Sequence, residues 1–329
     1  MSIDWNVFKE FVKTPQRFVI STHMRPDGDA LGSALALSHA LGLLGKQTQV
    51  VIASPLPPRY YSLVNRAEIL EIDPNNEAAI GQADAIIIVD TGTWNQLGKF
   101  GDWMRRQNVP KLVIDHHRTQ DDLKGERLVD IEAEACGRLI YQAIQALGVT
   151  CTKEIATFLF LALSTDTGWF HHRNVTAETF TLAADLTKAG ADPTTLYQLL
   201  YDCNTLGRQK LMGHVLQTLD IAHGGDLCHA SVTLADYLRV GAMPLDSEDL
   251  VNLTLTVAGV DVGVLFLEQP VGGTKVSFRS RGTLDCSKLA ELYGGGGHSA
   301  AAGAIIKKPI QEVRVEVLQE VVRRMDGVQ

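Results

Sequence analysis

Three short apolar runs, Phe18-Val19-Ile20, Ala85-Ile86-Ile87-Ile88-Val89 and Leu112-Val113-Ile114, contain no polar residue. A strand with one wet face alternates apolar and polar side chains. Unbroken runs of this length instead describe strands of a parallel sheet covered on both faces. Each run leads into acids and imidazoles: His23-Met24-Arg25-Pro26-Asp27-Gly28-Asp29, Asp90, and Asp115-His116-His117. A fourth acid, Asp166, lies in Ser164-Thr165-Asp166-Thr167-Gly168. Open parallel sheets collect ligands beyond the carboxyl ends of their strands, so the clusters are expected to meet in one crevice. Carboxylate oxygen mixed with imidazole nitrogen suits Mn²⁺, Mg²⁺, Zn²⁺ or Fe²⁺, and the lack of thiolate argues against a structural zinc.

At 329 residues the chain is long for one core, and two domains are the default. A net charge of −8 argues against a broad footprint on long duplex nucleic acid, which needs a basic face. A small phosphate ester held by local arginines and metal ions stays compatible. The five cysteines are scattered and never form a C-x-x-C pair, which reads as reduced, mostly buried thiols of a cytosolic protein. No basic start leads into an apolar stretch, and no run reaches the roughly 18–20 apolar residues of a membrane span. A cytoplasmic location without membrane contact is therefore expected.

Strand and helix signals alternate through the first half. Arg17–Thr22 reads as a strand, Ala30–Leu44 as a helix closed by Gly45, and Thr48–Ala53 as a strand. Strands at Ala85–Asp90 and Lys111–Asp115 follow, then helices near Ala135–Leu147 and Lys153–Leu163. The expected fold is α/β and two-lobed, with a doubly wound, mainly parallel sheet in residues 1–192. Thr194–Leu219 reads as helical throughout, making 193–222 a connecting arm. Strands at Ala230–Leu234, Val260–Leu267, Lys275–Ser280 and Ala302–Ile306, with helices at Leu284–Leu292 and Ile310–Met325, describe a smaller mixed-sheet α/β domain over 223–329.

Pro26 and Gly28 bend the first cluster, and Gly28 is expected to hold backbone angles closed to a side chain. A helix starting near Ala30 would aim its free amides at the same place, favouring an anion there. Asp29 as a simple N-cap is the plain alternative, but it leaves the histidine and second acid unexplained. Asp90 taken alone could cap a helix or form a turn. Two histidines and an acid at the mouth of a buried strand are hard to desolvate without a metal or phosphate. One histidine can be a ligand while the other reaches substrate, with Asp115 orienting its neighbours. Asp166, at the end of an apolar helix, needs a partner, and a metal is the obvious one. His171 and His172 are candidates to line the cleft. His39, His214, His223 and His229 are expected on the surface or on helices, and Trp94 and Trp103 in packing roles.

The order H-x-x-x-D-x-D-A-L-G-S, V-D-T-G, I-D-H-H and T-D-T-G resembles the four motifs of the DHH phosphoesterase superfamily. The tail, Val276-Ser277-Phe278-Arg279-Ser280-Arg281-Gly282, Leu289-Ala290 and Gly294 through Gly303, is similar to the DHH-associated C-terminal domain. The resemblance covers nearly the whole chain and is nearest to the nano-RNase, or bifunctional oligoribonuclease and pAp phosphatase, branch. It implies one metal on His23, Asp27 and Asp90 and a second on Asp29, Asp90, His116 and Asp166, with Asp90 bridging. Two Mn²⁺ per chain are implied, with Mg²⁺ or Co²⁺ as substitutes. Asp90, Asp115 and His117 would be catalytic, with in-line attack of hydroxide on phosphorus and His117 on the phosphoryl oxygens.

In the C-terminal domain, the amides of Gly295, Gly296 and Gly297, together with Arg279, Arg281 and His298, would grip a terminal phosphate. The two arginines alternate along a strand and so share a face; a tight turn and a solvated edge are the plain alternatives. The expected activity is hydrolysis of short RNA oligonucleotides, of 3′-phosphoadenosine 5′-phosphate (pAp), or of both. The expected partners are short RNA or a small nucleotide, with no long duplex, and an oligomer is compatible. The rival readings are a linear or cyclic dinucleotide phosphodiesterase, an exopolyphosphatase, and a non-catalytic nucleotide-binding sensor. Glu132 to Arg138 lacks the hydroxyl-rich stretch usual in the family, and Asp90-Thr91-Gly92-Thr93-Trp94 lacks the basic residue often found just after it.

Overall fold

The computed structural model describes residues 3–73, 75–282, 284–297 and 299–327. It divides into two compact units, Met1–Cys203 and Asn204–Gln329. In the first, chain order runs α1 (Trp5–Lys13), β1 (Arg17–Ser21), α2 (Gly28–Leu43), β2 (Gln47–Ile52), β3 (Ile69–Glu71), β4 (Ala85–Val89), α3 (Trp94–Arg105), β5 (Lys111–Asp115) and β6 (Glu126–Val129). Helices α4 (Cys136–Ala146), α5 (Lys153–Asp166), α6 (Ala177–Lys188) and α7 (Pro193–Tyr197) follow. The sheet order is β3-β2-β1-β4-β5-β6, with every pairing parallel. Strand order reverses between β1 and β4, the place where open α/β sheets hold ligands.

The apolar runs have no polar residue because both faces are packed. Phe18, Ile20, Ala85, Ile87, Val89, Leu112 and Ile114 enter a core shared with α1, α2, α4 and α5. Val19, Ile86, Ile88 and Val113 enter a second core with Leu97, Phe100, Trp103 and Met104 of α3. Helix α2 is small-residue because it crosses α5 closely. A Cβ at Gly32 would stand 2.3 Å from the Phe158 carbonyl oxygen, and one at Gly28 would stand 2.4 Å from Thr165 Cγ2. Gly28 does not take a positive φ, so close approach, not a forbidden backbone angle, is what requires glycine there.

The second unit contains α8 (Leu206–Gln217), β7 (Asp220–Ala222), β8 (Leu227–Val232), α9 (Leu234–Val240), β9 (Val262–Glu268), β10 (Thr274–Ser280), α10 (Cys286–Glu291), β11 (Gly296–Gly297), β12 (Ala301–Ile306) and α11 (Ile310–Met325). Its sheet, ordered β11-β12-β10-β9-β8-β7, is mixed: β8 and β9 are parallel and the other pairs antiparallel. Val262, Val264 and Phe266 of β9 pack toward α10 and α11, while Leu265 and Leu267 pack toward α8 and α9. The α/β architecture expected from the sequence, with a parallel-sheet unit followed by a smaller mixed-sheet unit, is the one observed.

The expected continuous arm is interrupted. Helix α7 passes into a π-helical turn, Gln198–Asp202, and the backbone leaves helical geometry at Cys203. Thr205 then starts α8 afresh, its hydroxyl accepting from the Arg208 amide at 2.9 Å. Leu211 and Val215 of α8 are buried in the second unit, so this helix belongs to that core. His229 also departs from its expected surface or helical place. It lies on β8, 4% exposed, and burial pushes its pKa down. Among the described residues no helix is long and apolar enough to cross a membrane. Cys136, Cys228 and Cys286 are buried and unpaired.

Candidate metal centre

The carboxyl ends of β1, β4 and β5 present His23, Asp90 and Asp115-His116-His117. Asp27, not Asp29, is the N-cap of α2: its Oδ1 accepts from the Ala30 amide at 3.0 Å. Asp29 sits in the first turn, 1% exposed, and is held from elsewhere. Its Oδ1 accepts from Ser33 Oγ at 3.0 Å and from the Gly137 amide at 2.9 Å, and its Oδ2 accepts from the Cys136 amide at 2.6 Å. The N-terminus of α4 therefore grips this carboxylate with free amides and the positive end of its dipole. The part played by Cys136 and Gly137 was invisible in the sequence, because both act through their backbone amides.

Asp90 adopts a left-handed backbone, φ +60°. That conformation is strained for a non-glycine residue by roughly 1–3 kcal/mol and persists where surrounding structure imposes it. The Asp90 amide donates to Ile114 O at 3.0 Å, tying the β4 end to β5. Asp115 is fully buried, and its Oδ1 accepts from the His116 amide at 2.8 Å, the His117 amide at 3.2 Å and His117 Nδ1 at 2.8 Å. Asp166 closes α5.

The two inward imidazoles share one design. His23 Nδ1 donates to Met24 O at 2.9 Å, and His116 Nδ1 donates to Ala133 O at 3.0 Å. A carbonyl only accepts, so each ring is fixed with Nε2 turned toward the acids. His23 Nε2 stands 3.3 Å from Asp90 Oδ2 and 3.7 Å from Asp27 Oδ1. His116 Nε2 stands 3.3 Å from Asp90 Oδ1, 3.5 Å from Asp166 Oδ2 and 3.8 Å from Asp29 Oδ2. Potential ligand atoms fall into three groups, each within 4.8 Å: His23 with Asp27 and Asp90, Asp29 with His116 and Asp166, and Asp90 with His116 and His117. In the third, His117 Nδ1 already donates to Asp115, so that nitrogen offers no lone pair to a cation.

The electrostatics show a surplus of negative charge. Burial opposes charge on His116, but the close approach of Asp90 and the fields of Asp29, Asp90 and Asp166 override it and push the ring up to about 11. His23 is also raised, with Asp27 and Asp90 outweighing its burial. Burial lifts Asp166 to about 7 and pushes Asp29 well up, with neighbouring acids adding to both. Burial would raise Asp90 as well, yet the adjacent His116 and His23 hold it well below the usual carboxylate range. Asp90 Oδ1 is buried without a hydrogen-bond partner. An unpartnered buried carboxylate oxygen among converging nitrogen and oxygen donors, with no thiolate, fits hard or borderline divalent cations.

The second unit treats its expected phosphate-binding residues differently. Arg279 lies on β10, with Nε donating to Asn252 Oδ1 at 2.8 Å and Nη1 to Phe278 O at 3.0 Å. Arg281 lies just beyond the strand end and donates to Val260 O at 3.1 Å and Leu255 O at 2.7 Å. The amide of Gly295 is bonded to Ala290 O at 2.9 Å, and that of Gly294 to Glu291 O at 3.1 Å, capping α10. Gly295 is therefore not an open phosphate donor through its amide. Its glycine requirement is steric, since a Cβ there would meet Gly303 O at 2.2 Å. Gly296 and Gly297 pair with Gly303 and Ala302 as β11. His298 lies outside the described residues. His171 and His172 are exposed, and His172 Nδ1 approaches Asp166 O at 3.3 Å.

Residues 17–184 match the DHH family, N-terminal domain, and residues 231–327 match the DHHA1 domain. The chain belongs to the DHH family. Among related DHH proteins, the bifunctional oligoribonuclease and PAP phosphatase NrnA of Thermus thermophilus is 34% identical, the match covering 92% of this chain and 88% of that one. The protein of the same name from Mycoplasma genitalium is 30% identical, with 96% of each chain covered. The crystal structure of an exopolyphosphatase-related protein from Bacteroides fragilis superposes with a TM-score of 0.92 at 26% identity, covering 98% of this chain and 96% of that one.

Proposed function

We propose that this DHH protein is a metal-dependent phosphoesterase that hydrolyses short RNA oligonucleotides and pAp. The observation that carries the reading is the convergence of His23, Asp27, Asp29, Asp90, His116 and Asp166 around Asp90, in overlapping groups of ligand atoms. The names of the NrnA relatives support the choice of substrate. In this reading His23, Asp27 and Asp90 hold one Mn²⁺, and Asp29, Asp90, His116 and Asp166 hold a second. Cations bound there supply Lewis acidity, lowering the pKa of water and neutralising phosphoryl charge.

The chain's own groups do the rest. Asp115 keeps His117 protonated at Nδ1 and fixes the ring, which contacts the phosphoryl oxygens of the substrate. The α4 amides keep Asp29 in place, and the carbonyls of Met24 and Ala133 hold the two ligating rings. Arg279 and Arg281 grip a terminal phosphate, exchanging their present carbonyl and carboxamide partners for phosphate oxygens. The acidic chain suits oligomers of a few nucleotides better than long duplexes, and the reading places the reaction in the cytoplasm.

The test is purified protein with Mn²⁺ and a panel of pAp, dinucleotides, longer RNA, cyclic dinucleotides and polyphosphate. Highest kcat/KM on pAp and on RNA of a few nucleotides is expected. A clear preference for polyphosphate or cyclic dinucleotides would replace the substrate assignment. Arg279→Ala should raise KM strongly with Mn²⁺ content unchanged, and an unaltered KM would remove Arg279 from the substrate site.

A further inference from the structure

Gln120, three residues past His117, uses its carboxamide nitrogen twice. Its Nε2 donates to Asp115 Oδ2 and to His117 O, the latter at 3.1 Å. Both partners only accept, so the amide orientation follows from the network. Oε1 therefore faces away, and it is buried without a hydrogen-bond partner. It rests on Gly92, two residues past Asp90: a Cβ at Gly92 would lie 1.9 Å from it. Next to this contact the Asp121 amide donates to Gly92 O at 2.8 Å, and Asp121 Oδ2 accepts from the Trp94 amide at 2.8 Å. The loop after β5 is thus fastened to the loop after β4.

We propose that Gln120 is a positioning residue that fixes His117 for the reaction by clamping the second oxygen of Asp115 against the Asp90 loop. The proposal rests on the reading of His117 as the phosphoryl contact. Asp115 Oδ1 carries His117 Nδ1 and two amides, and the Gln120 bond on Oδ2 stops the carboxylate turning about its own axis. A side chain serving packing alone has no reason to bury an unpaired oxygen, since a hydrocarbon of the same shape avoids that penalty. The carboxamide is retained because its other end, the N–H donor, acts on Asp115.

Gln120→Met keeps the shape and removes the donor. With Mn²⁺ and pAp or an RNA dinucleotide as substrate, kcat should fall about tenfold or more, as for partners that orient a site's inner groups. KM should stay within about twofold, bound Mn²⁺ should be unchanged, and Tm should not drop. Gly92→Ala, whose methyl displaces the carboxamide by contact with Oε1, should reproduce the kcat loss with Gln120 intact. In a His117→Ala background Gln120→Met should add nothing, because the two act in series. Full additivity of the two substitutions, or a loss that follows KM or Mn²⁺ content, would overturn the proposal and leave the phosphoesterase reading standing. Wild-type activity in His117→Ala would overturn the role given to His117 and this proposal with it.

Discussion

Of the histidines that sit beside aspartates, His223 and His116 are built in opposite ways. In the second unit, His223 lies near the surface with both ring nitrogens engaged: Nδ1 is 2.7 Å from Asp226 Oδ1 and Nε2 is 2.9 Å from Asp326 Oδ1. In the first, His116 bonds a backbone carbonyl through Nδ1, while Nε2 faces three carboxylates, none nearer than 3.3 Å. His223 is a satisfied ion cluster, every donor matched at hydrogen-bond distance. His116 stands among more negative charge than one ring can neutralise, in a pocket where Asp90 Oδ1 has no partner. A cluster able to hold a cation differs from a salt bridge in what it leaves unsatisfied.

The largest effect expected from this contrast is at Asp90, the acid shared between groups of ligand atoms. Asp90→Ala should lower turnover about a thousandfold or more, and near wild-type rates would remove its bridging role. A smaller effect is expected at Ser33, whose hydroxyl bonds Asp29 Oδ1. Ser33→Ala should weaken Mn²⁺ binding about tenfold, measured by calorimetric titration; unchanged affinity would mean that the α4 amides alone position Asp29. The smallest effect belongs to His223. Asp326 and Asp226 raise its folded pKa above the unfolded value. Its stabilising contribution is therefore fully present below the unfolded pKa of about 6.5 and is lost as pH rises through the folded value. Thermal scans of His223→Gln should show a lower Tm than wild type at pH 6 and a narrowing gap toward pH 9. A gap independent of pH would mean that the pair of ion contacts contributes nothing there.

The same contrast explains what could be read from the sequence. The apolar strands β1, β4 and β5 were legible because double-sided burial leaves no polar residue in them, and helix capping accounts for one of the acids that follow but not for the histidines beside it. Strands β3 and β6 were not legible, being short edges with partly exposed residues. Helix α3 is broken internally at Gly98, which takes φ +48° and ψ −134°, so its pattern does not run at one helical period. The break at Cys203 falls in Asp202-Cys203-Asn204-Thr205, four residues of low helix propensity, the last of them the N-cap of α8. In the second unit a glycine run and alternating arginines have two readings. Only the coordinates reveal that the Gly295 amide caps α10 and that Arg281 bonds Val260 O and Leu255 O. The grip on Asp29 by the amides of Cys136 and Gly137 has no side-chain signature at all.

Equilibrium dialysis of the intact protein against Mn²⁺, with bound metal counted per chain, bears on the carboxylate–imidazole cluster most directly. Two ions per chain are predicted for the wild type, with binding at both positions impaired in Asp90→Ala. Failure to bind Mn²⁺, or phosphoesterase activity that persists undiminished in excess chelator, would contradict the account.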